Sequence, residues 1–238
     1  MMIVITMAGL GSRFRKAGYT VPKYEIMVNN HSLFYWSMLS LQDINSKEYC
    51  FIVREEDHSE KFILKECEKL GINANIIQIK QLTRGQAETA MIAKEKWEKN
   101  EPLFIYNIDT YVEQGLINDN QFKGDGFIPC FEASGTHWSF AKLGEDGSVI
   151  EVKEKERISN NCSIGAYYFK TTDLFESLYN EFYIERNSIL EGGERYIAPL
   201  YNYLIKEKKG QVYISKIPSK YVHVLGTPEE VELFRSGN

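Results

Sequence analysis

The apolar run Met2–Met7 constrains the fold more than any other stretch of the chain. A strand with one wet face alternates apolar and polar residues. A run without that alternation belongs to a strand covered on both faces, as in a parallel sheet flanked by helices. The rest of the N-terminal half supplies the partners such a strand needs. Patterning predicts a helix N-capped by Ser32 and running to about Gln42, a strand at Tyr49–Val53, and a helix at His58–Leu70 stopped by Gly71. A strand at Ala74–Ile79, a helix at Gln86–Trp97 and a strand at Leu103–Tyr106 follow. This βα rhythm reads as an α/β fold with a mostly parallel sheet and helices on both faces.

After about Asp125 the rhythm changes. Gly126–Ala133, Trp138–Leu143, Val149–Lys153 and Ala166–Lys170 read as strands with few helices between them, and Glu145-Asp146-Gly147 marks a turn. Thr172–Phe182 and Glu194–Lys208 read as helices, Val212–Ile217 and Tyr221–Val224 as short strands. Thr227-Pro228 opens a last helix. No repeat, low-complexity tract or linker divides the 238 residues, so one domain is expected, with an α/β half over 1–124 and a mixed half over 125–238 that completes its pocket.

Composition excludes several classes. The net charge of -5 argues against a general nucleic-acid binder, which needs clustered cations. No apolar run reaches membrane-spanning length, and the first ten residues lack the cationic start of a signal peptide. Cys50, Cys67, Cys130 and Cys162 are scattered, which disfavours zinc and disulfide frameworks and points to the cytoplasm.

Against that acidic background, Ala8 to Tyr24 contains no acid and carries Arg13, Arg15, Lys16 and Lys23. It follows the first strand directly as Ala8-Gly9-Leu10-Gly11-Ser12-Arg13. Glycines let backbone N–H groups close on phosphates, and arginine adds a bidentate cation. A dinucleotide fingerprint would need a small residue at Phe14 and a helix in place of the loop Ala17–Pro22; a Walker loop would need Gly-Lys-Ser/Thr. Neither is present. The pattern suits a triphosphate.

This segment, with Ala17-Gly18-Tyr19-Thr20 before Pro22-Lys23, resembles the signature of the sugar-phosphate nucleotidyltransferases, in a bacterial branch associated with capsule and surface polysaccharides. The resemblance covers nearly the whole chain. It implies a Rossmann-like, GT-A-like nucleotidyltransferase fold and transfer of a nucleotide from an NTP to a small phosphorylated acceptor. It places Ala8–Arg13 and Lys23 on the triphosphate, with Arg13, Lys23 and Asp109 catalytic. Thr83–Ala90 resembles the segment under the base, so Gly85 with Gln81 or Gln86 is expected to meet the nucleotide. Asp109, ending the strand Leu103–Asp109, is the expected ligand of Mg²⁺ or Mn²⁺. Glu154 and Lys155 match the acceptor-binding Glu-Lys pair, with Lys153 a competing register; Asn161, Gly165 and Glu194 are further candidates for the acceptor pocket.

The closing segment departs from the family pattern. Val224 stands where the family has a second aspartate, two residues before Gly226-Thr227. Either His223 replaces that ligand or one carboxylate suffices. The base is open among CTP, UTP and dTTP. The acceptor is open between a sugar phosphate and a polyol or amino-acid-derived phosphate used by a cytidylyltransferase. A homodimer is also left open. A GT-A glycosyltransferase and a non-catalytic nucleotide sensor are the rival readings. No Cys-His or Ser-His-Asp arrangement appears, so direct in-line attack is expected. No repeat-rich tail points to an appended domain.

Overall fold

The computed structural model describes residues 1–46, 48–188 and 193–237. Its N-terminal half contains β1 (Met2–Thr6), α1 (Ser12–Lys16), β2 (Met27–Val28), β3 (His31–Ser32), α2 (Leu33–Leu39), β4 (Glu48–Arg54), α3 (Glu60–Leu70), β5 (Asn73–Ile79), α4 (Gln86–Ile92), β6 (Leu103–Asn107) and β7 (Thr110–Val112). The C-terminal half adds β8 (Gly126–Phe131), β9 (Ser139–Leu143), β10 (Val149–Glu154), β11 (Cys162–Ser163), β12 (Ala166–Phe169), α5 (Thr172–Tyr179), α6 (Ala198–Lys208), β13 (Val212–Lys216), β14 (Val222–Val224) and α7 (Pro228–Ser236).

One mixed sheet runs through both halves in the order β10-β9-β11-β8-β12-β6-β1-β4-β5, with β13 paired to β8. Strands β6, β1, β4 and β5 are mutually parallel. The sense reverses at β12, which is antiparallel to both β6 and β8. As its apolar run predicts, β1 is covered twice. Val4 shares a cluster with Ala87 and Ala90 of α4 and with Phe175 and Leu200 from α5 and α6. Ile3 and Ile5 face Phe34, Met38 and Ile63 of α2 and α3 on the other side. Each such side chain contributes about 1.5–3 kcal/mol on burial. A smaller cluster joins Phe14 of α1 and Leu33 of α2 to Leu225 and Val231 near α7, tying the glycine-rich loop to the C-terminal segment.

The predicted elements recur with shifted ends. Ser32 caps α2, its hydroxyl accepting the Tyr35 N–H at 3.0 Å. Helix α4 stops at Ile92 and ends in a single 3₁₀ turn, and α5 passes at Asn180 into a wider π-type stretch. The helix expected from Glu194 begins only at Ala198. Arg195 is engaged elsewhere: its N–H donates to the Arg84 carbonyl at 2.6 Å, and its own carbonyl accepts the Ala87 N–H at 2.9 Å. Those bonds lay the segment before α6 across the start of α4. The short elements α1, β2, β3, β7 and β11 are too brief to show periodicity in the sequence.

Candidate active site

Strands β1 and β6 are neighbours in the parallel set, and both end at the same edge, at Thr6 and Asn107. A cavity of about 740 Å³ opens there, where α/β sheets present their ligand sites. Ala8, Gly9, Leu10 and Arg13 form one wall. Gly11 takes the left-handed conformation, with φ of 60°, and turns the chain into α1. Gly11 and Ser12 lie behind the lining rather than in it. Arg15 pins the loop, its Nε donating to the Leu10 carbonyl at 3.2 Å and its guanidinium lying 3.7 Å from Asp57. Arg13 lines the cavity and has no ion-pair partner among the described residues.

Pro22 is extended, with φ of -53° and ψ of 144°, and leads Lys23 back under the loop. The Lys23 Nζ donates to Asp109 Oδ2 at 2.7 Å. The Asp109 carbonyl in turn accepts the Leu225 N–H at 2.8 Å, which fixes this residue against the segment before α7. Among the described residues, no three His, Cys, Asp or Glu side chains gather as a metal site.

Gly85 and Gln86 also line the cavity, whereas Gln81 is exposed and does not. Gly85 has φ of 137°, and a Cβ there would meet the Arg195 backbone N at 2.7 Å. Only glycine allows that crossing. The Gln86 amide donates to Asn107 Oδ1 and to Thr6 Oγ1, so its NH₂ holds the two strand ends together. Asn107 lies against Gly165, whose φ is 81° and whose carbonyl accepts the Asn107 N–H at 3.1 Å.

The opposite wall comes from the antiparallel half. Successive strand residues point to opposite faces, yet Glu154 and Lys155 both line the cavity. Lys155 explains this: its φ of 57° breaks the alternation at the end of β10, and its N–H is caught by the Trp138 carbonyl at 2.8 Å. Its ammonium donates to the Tyr196 hydroxyl, stands 4.5 Å over the Tyr196 ring, and lies 3.8 Å from Glu194. Glu194 and Gly165 line the same space.

Besides Gln81, three more expected residues are not brought in. Lys153 keeps the strand alternation and pairs outward with Glu156 at 3.3 Å. Asn161 donates its amide to the Ala141 carbonyl at 2.9 Å and borders a separate hollow with Lys216 and Ser219. His223 alternates with Val224 on β14. Val224 takes the cavity side, while His223 stacks on Tyr111 at 5.3 Å and faces Glu113. The imidazole therefore does not reach Asp109.

A family profile described as Nucleotidyl transferase matches residues 2–214. The chain belongs to that family. This nucleotidyltransferase is similar to the nucleoside-diphosphate-sugar pyrophosphorylase of Vibrio cholerae RC9, with 35% identity, a TM-score of 0.90, and coverage of 99% of this chain and 100% of the other. It shares its fold with a candidate glucose-1-phosphate thymidylyltransferase of Bacillus anthracis at 15% identity, with a TM-score of 0.78 and coverage of 99% and 94%. The inositol-1-phosphate CTP transferase of T. maritima is a comparable fold neighbour, at 15% identity, a TM-score of 0.77 and coverage of 96% and 90%. No curated protein sequence matches significantly. The chain is thus an enzyme of the family that acts on sugar phosphates or related substrates. No helix among the described residues is long and apolar enough to cross a membrane.

The nucleotidyltransferase cavity also contains residues that sequence motifs did not mark: His137, Trp138, Ser139 and Tyr167. Ser139 donates to Glu154 and shares a 2.9 Å hydrogen bond with Tyr167. Burial raises the Glu154 pKa from its ordinary value, against the lowering effects of Ser139 and Lys155. The Trp138–Ser139 dipeptide at the head of a strand, paired across a hairpin with the Glu-Lys end, was the available signal for this group.

Proposed function

We propose that this enzyme transfers a nucleotide from a pyrimidine nucleoside triphosphate to a small phosphorylated acceptor and releases pyrophosphate. The observation that carries this reading is the convergence on one cavity of the Ala8–Arg13 loop and Asp109 with Glu154 and Lys155. A basic, glycine-lined wall suits a triphosphate, and a lysine beside a carboxylate suits a second, smaller phosphate that carries hydroxyls. An acceptor phosphate oxygen would form a bond to the α-phosphorus as the bond to the bridging oxygen breaks, and pyrophosphate would leave. Arg13 and the loop amides would stabilise charge developing on that leaving group. Lys23 would contact phosphate from its place beside Asp109. Lys155 would hold the acceptor phosphate and Glu154 a hydroxyl.

Asp109 fits a divalent cation of the Mg²⁺ or Mn²⁺ type. Its carboxylate borders the cavity beside Gly226, whose lack of a side chain leaves room next to it. Mg²⁺ takes few protein carboxylates and fills its shell with water and phosphate oxygens. Such a cation would neutralise α-phosphate charge. Glucose 1-phosphate and inositol 1-phosphate in the names of the fold neighbours frame the acceptor class, and their dTTP and CTP chemistry frames the base. The reading extends to nucleotide-activated precursors of capsule or surface polysaccharide, made in the cytoplasm; four buried free thiols accord with a reducing compartment.

The test is pyrophosphate release across CTP, UTP, dTTP, GTP and ATP with sugar, polyol and amino-alcohol phosphates. Acceptor-dependent release with a pyrimidine nucleotide is expected. Nucleotide-sugar cleavage without pyrophosphate chemistry would replace this reading with a glycosyltransferase.

A further inference from the structure

Two carboxylates share the hollow over Gly226. A Cβ at that residue would stand 3.6 Å from Asp109 Oδ2 and 3.5 Å from Glu230 Oε2. Both acids line the main cavity, together with Val224 and Gly226. The Leu225 N–H ties the backbone of Asp109 to the same turn. Glycine at 226 therefore leaves free a point that two carboxylate oxygens approach from different elements.

Glu230 lies in the first turn of α7. The N-cap Thr227 accepts its backbone N–H at 3.2 Å. A glutamate at this position commonly turns back and caps the N–H of the N-cap residue. Here Oε2 is buried and has no hydrogen-bond partner among the described residues. Asp109 has the Lys23 ammonium against it; Glu230 has no ion-pair partner among the described residues. A buried carboxylate oxygen without a donor is destabilising unless a cation compensates it. The approach of that oxygen and of Asp109 Oδ2 to the same point over Gly226 gives it a purpose that helix capping does not.

We propose that Glu230 supplies the second carboxylate of the divalent-cation site, reaching from α7 to the place that Val224 cannot serve. This rests on the reading that Asp109 holds the cation. A valine at 224 removes a ligand from β14, and a glutamate on the next helix is long enough to approach the same space from the side. The pair Asp109 and Glu230, with waters and substrate phosphates, gives the sparse all-oxygen set that suits Mg²⁺ or Mn²⁺.

The test measures Mn²⁺ affinity by water-proton relaxation in the presence of CTP, UTP or dTTP, without acceptor. Glu230→Gln is expected to weaken Mn²⁺ by about tenfold or more. Asp109→Asn is expected to weaken it further. Val224→Asp, added to Glu230→Gln, is expected to recover most of the loss by placing a carboxylate on β14. Melting without Mn²⁺ provides a second readout. Glu230→Gln should melt at or above the wild type, because glutamine keeps the helix start and removes an uncompensated charge, while the Mn²⁺-induced rise in melting temperature shrinks. Wild-type Mn²⁺ affinity in Glu230→Gln, with Asp109→Asn impaired, would overturn the role of Glu230 and leave the cation on Asp109. Wild-type affinity in both variants would overturn the cation site itself. A folded double variant without recovery would overturn the claim that Glu230 serves the place of residue 224, and a Glu230→Gln protein that loses stability but not Mn²⁺ would assign Glu230 to the helix alone.

Discussion

The glycine-rich wall of the cavity is made from nearly consecutive residues, Ala8 to Arg13, carried on the end of a single buried strand. The facing wall is gathered from separated segments: His137–Ser139, Glu154–Lys155, Ser163–Gly165 and Gly193–Tyr196. The first wall depends on backbone shape, with few side chains. The second depends on side chains whose positions follow from hairpin register and one left-handed residue. The contrast predicts different responses to substitution.

Arg13→Ala tests the first wall and should have the larger effect. Loss of a fixed cation at the leaving group is expected to lower kcat/KM by about 10²-fold, with the melting temperature unchanged because Arg13 is exposed. Steady-state pyrophosphate release checks it; an undiminished kcat/KM would remove Arg13 from the triphosphate. Lys155→Ala tests the second wall. KM for the acceptor is expected to rise about tenfold while KM for the nucleotide stays constant, since Lys155 sits with Tyr196 and Glu194 rather than with the loop. A rise in nucleotide KM instead would erase the division into two walls.

The smallest effect concerns Glu154. Its pKa is raised by burial, so the folded protein disfavours the charged form more than the unfolded chain does. The stability from this group is full below the ordinary carboxylate pKa and declines as pH rises through the raised value. Glu154→Gln abolishes that decline. The variant should melt higher than wild type near neutral pH. The difference should vanish as pH falls below about 4. Parallel melting curves at all pH values would contradict the buried position of the carboxyl.

The same contrast explains what the sequence made legible. Strands β1, β4 and β6 are buried on both faces, so their apolar runs stand out, and the turn after β1 announces itself through glycine, arginine and the Pro22-Lys23 pair. The Glu-Lys end of β10 was readable only as two competing registers. The φ of 57° at Lys155 decides between them, and no residue type in the stretch from Lys153 to Arg157 signals that conformation. Asn161 and Gln81 were placed by their neighbourhood in sequence; local hydrogen bonding and exposure separate them from the cavity. His223 was considered for its chemistry, but the alternation on β14 gives the cavity side to Val224. Ser139 meets Glu154 across the local β9–β10 hairpin, whereas Tyr167 lies on β12, which pairs with β6 and β8, and short-range patterning carries no record of its approach.

The reversal of strand direction at β12 also bears on how such a catalyst can change its substrate. Four parallel strands need crossover connections, so altering one disturbs helices as well as sheet. Beyond β12, the antiparallel strands β9 and β10 are joined by a short hairpin, and such connections tolerate altered length and sequence. The joint between β6 and β12 thus divides the sheet into a side of constrained geometry, which carries the loop proposed for the nucleotide, and an adjustable side, which carries the residues proposed for the acceptor. Diversification of acceptors within one scaffold can proceed by changes beyond that joint, leaving the register of β1 and β6 untouched.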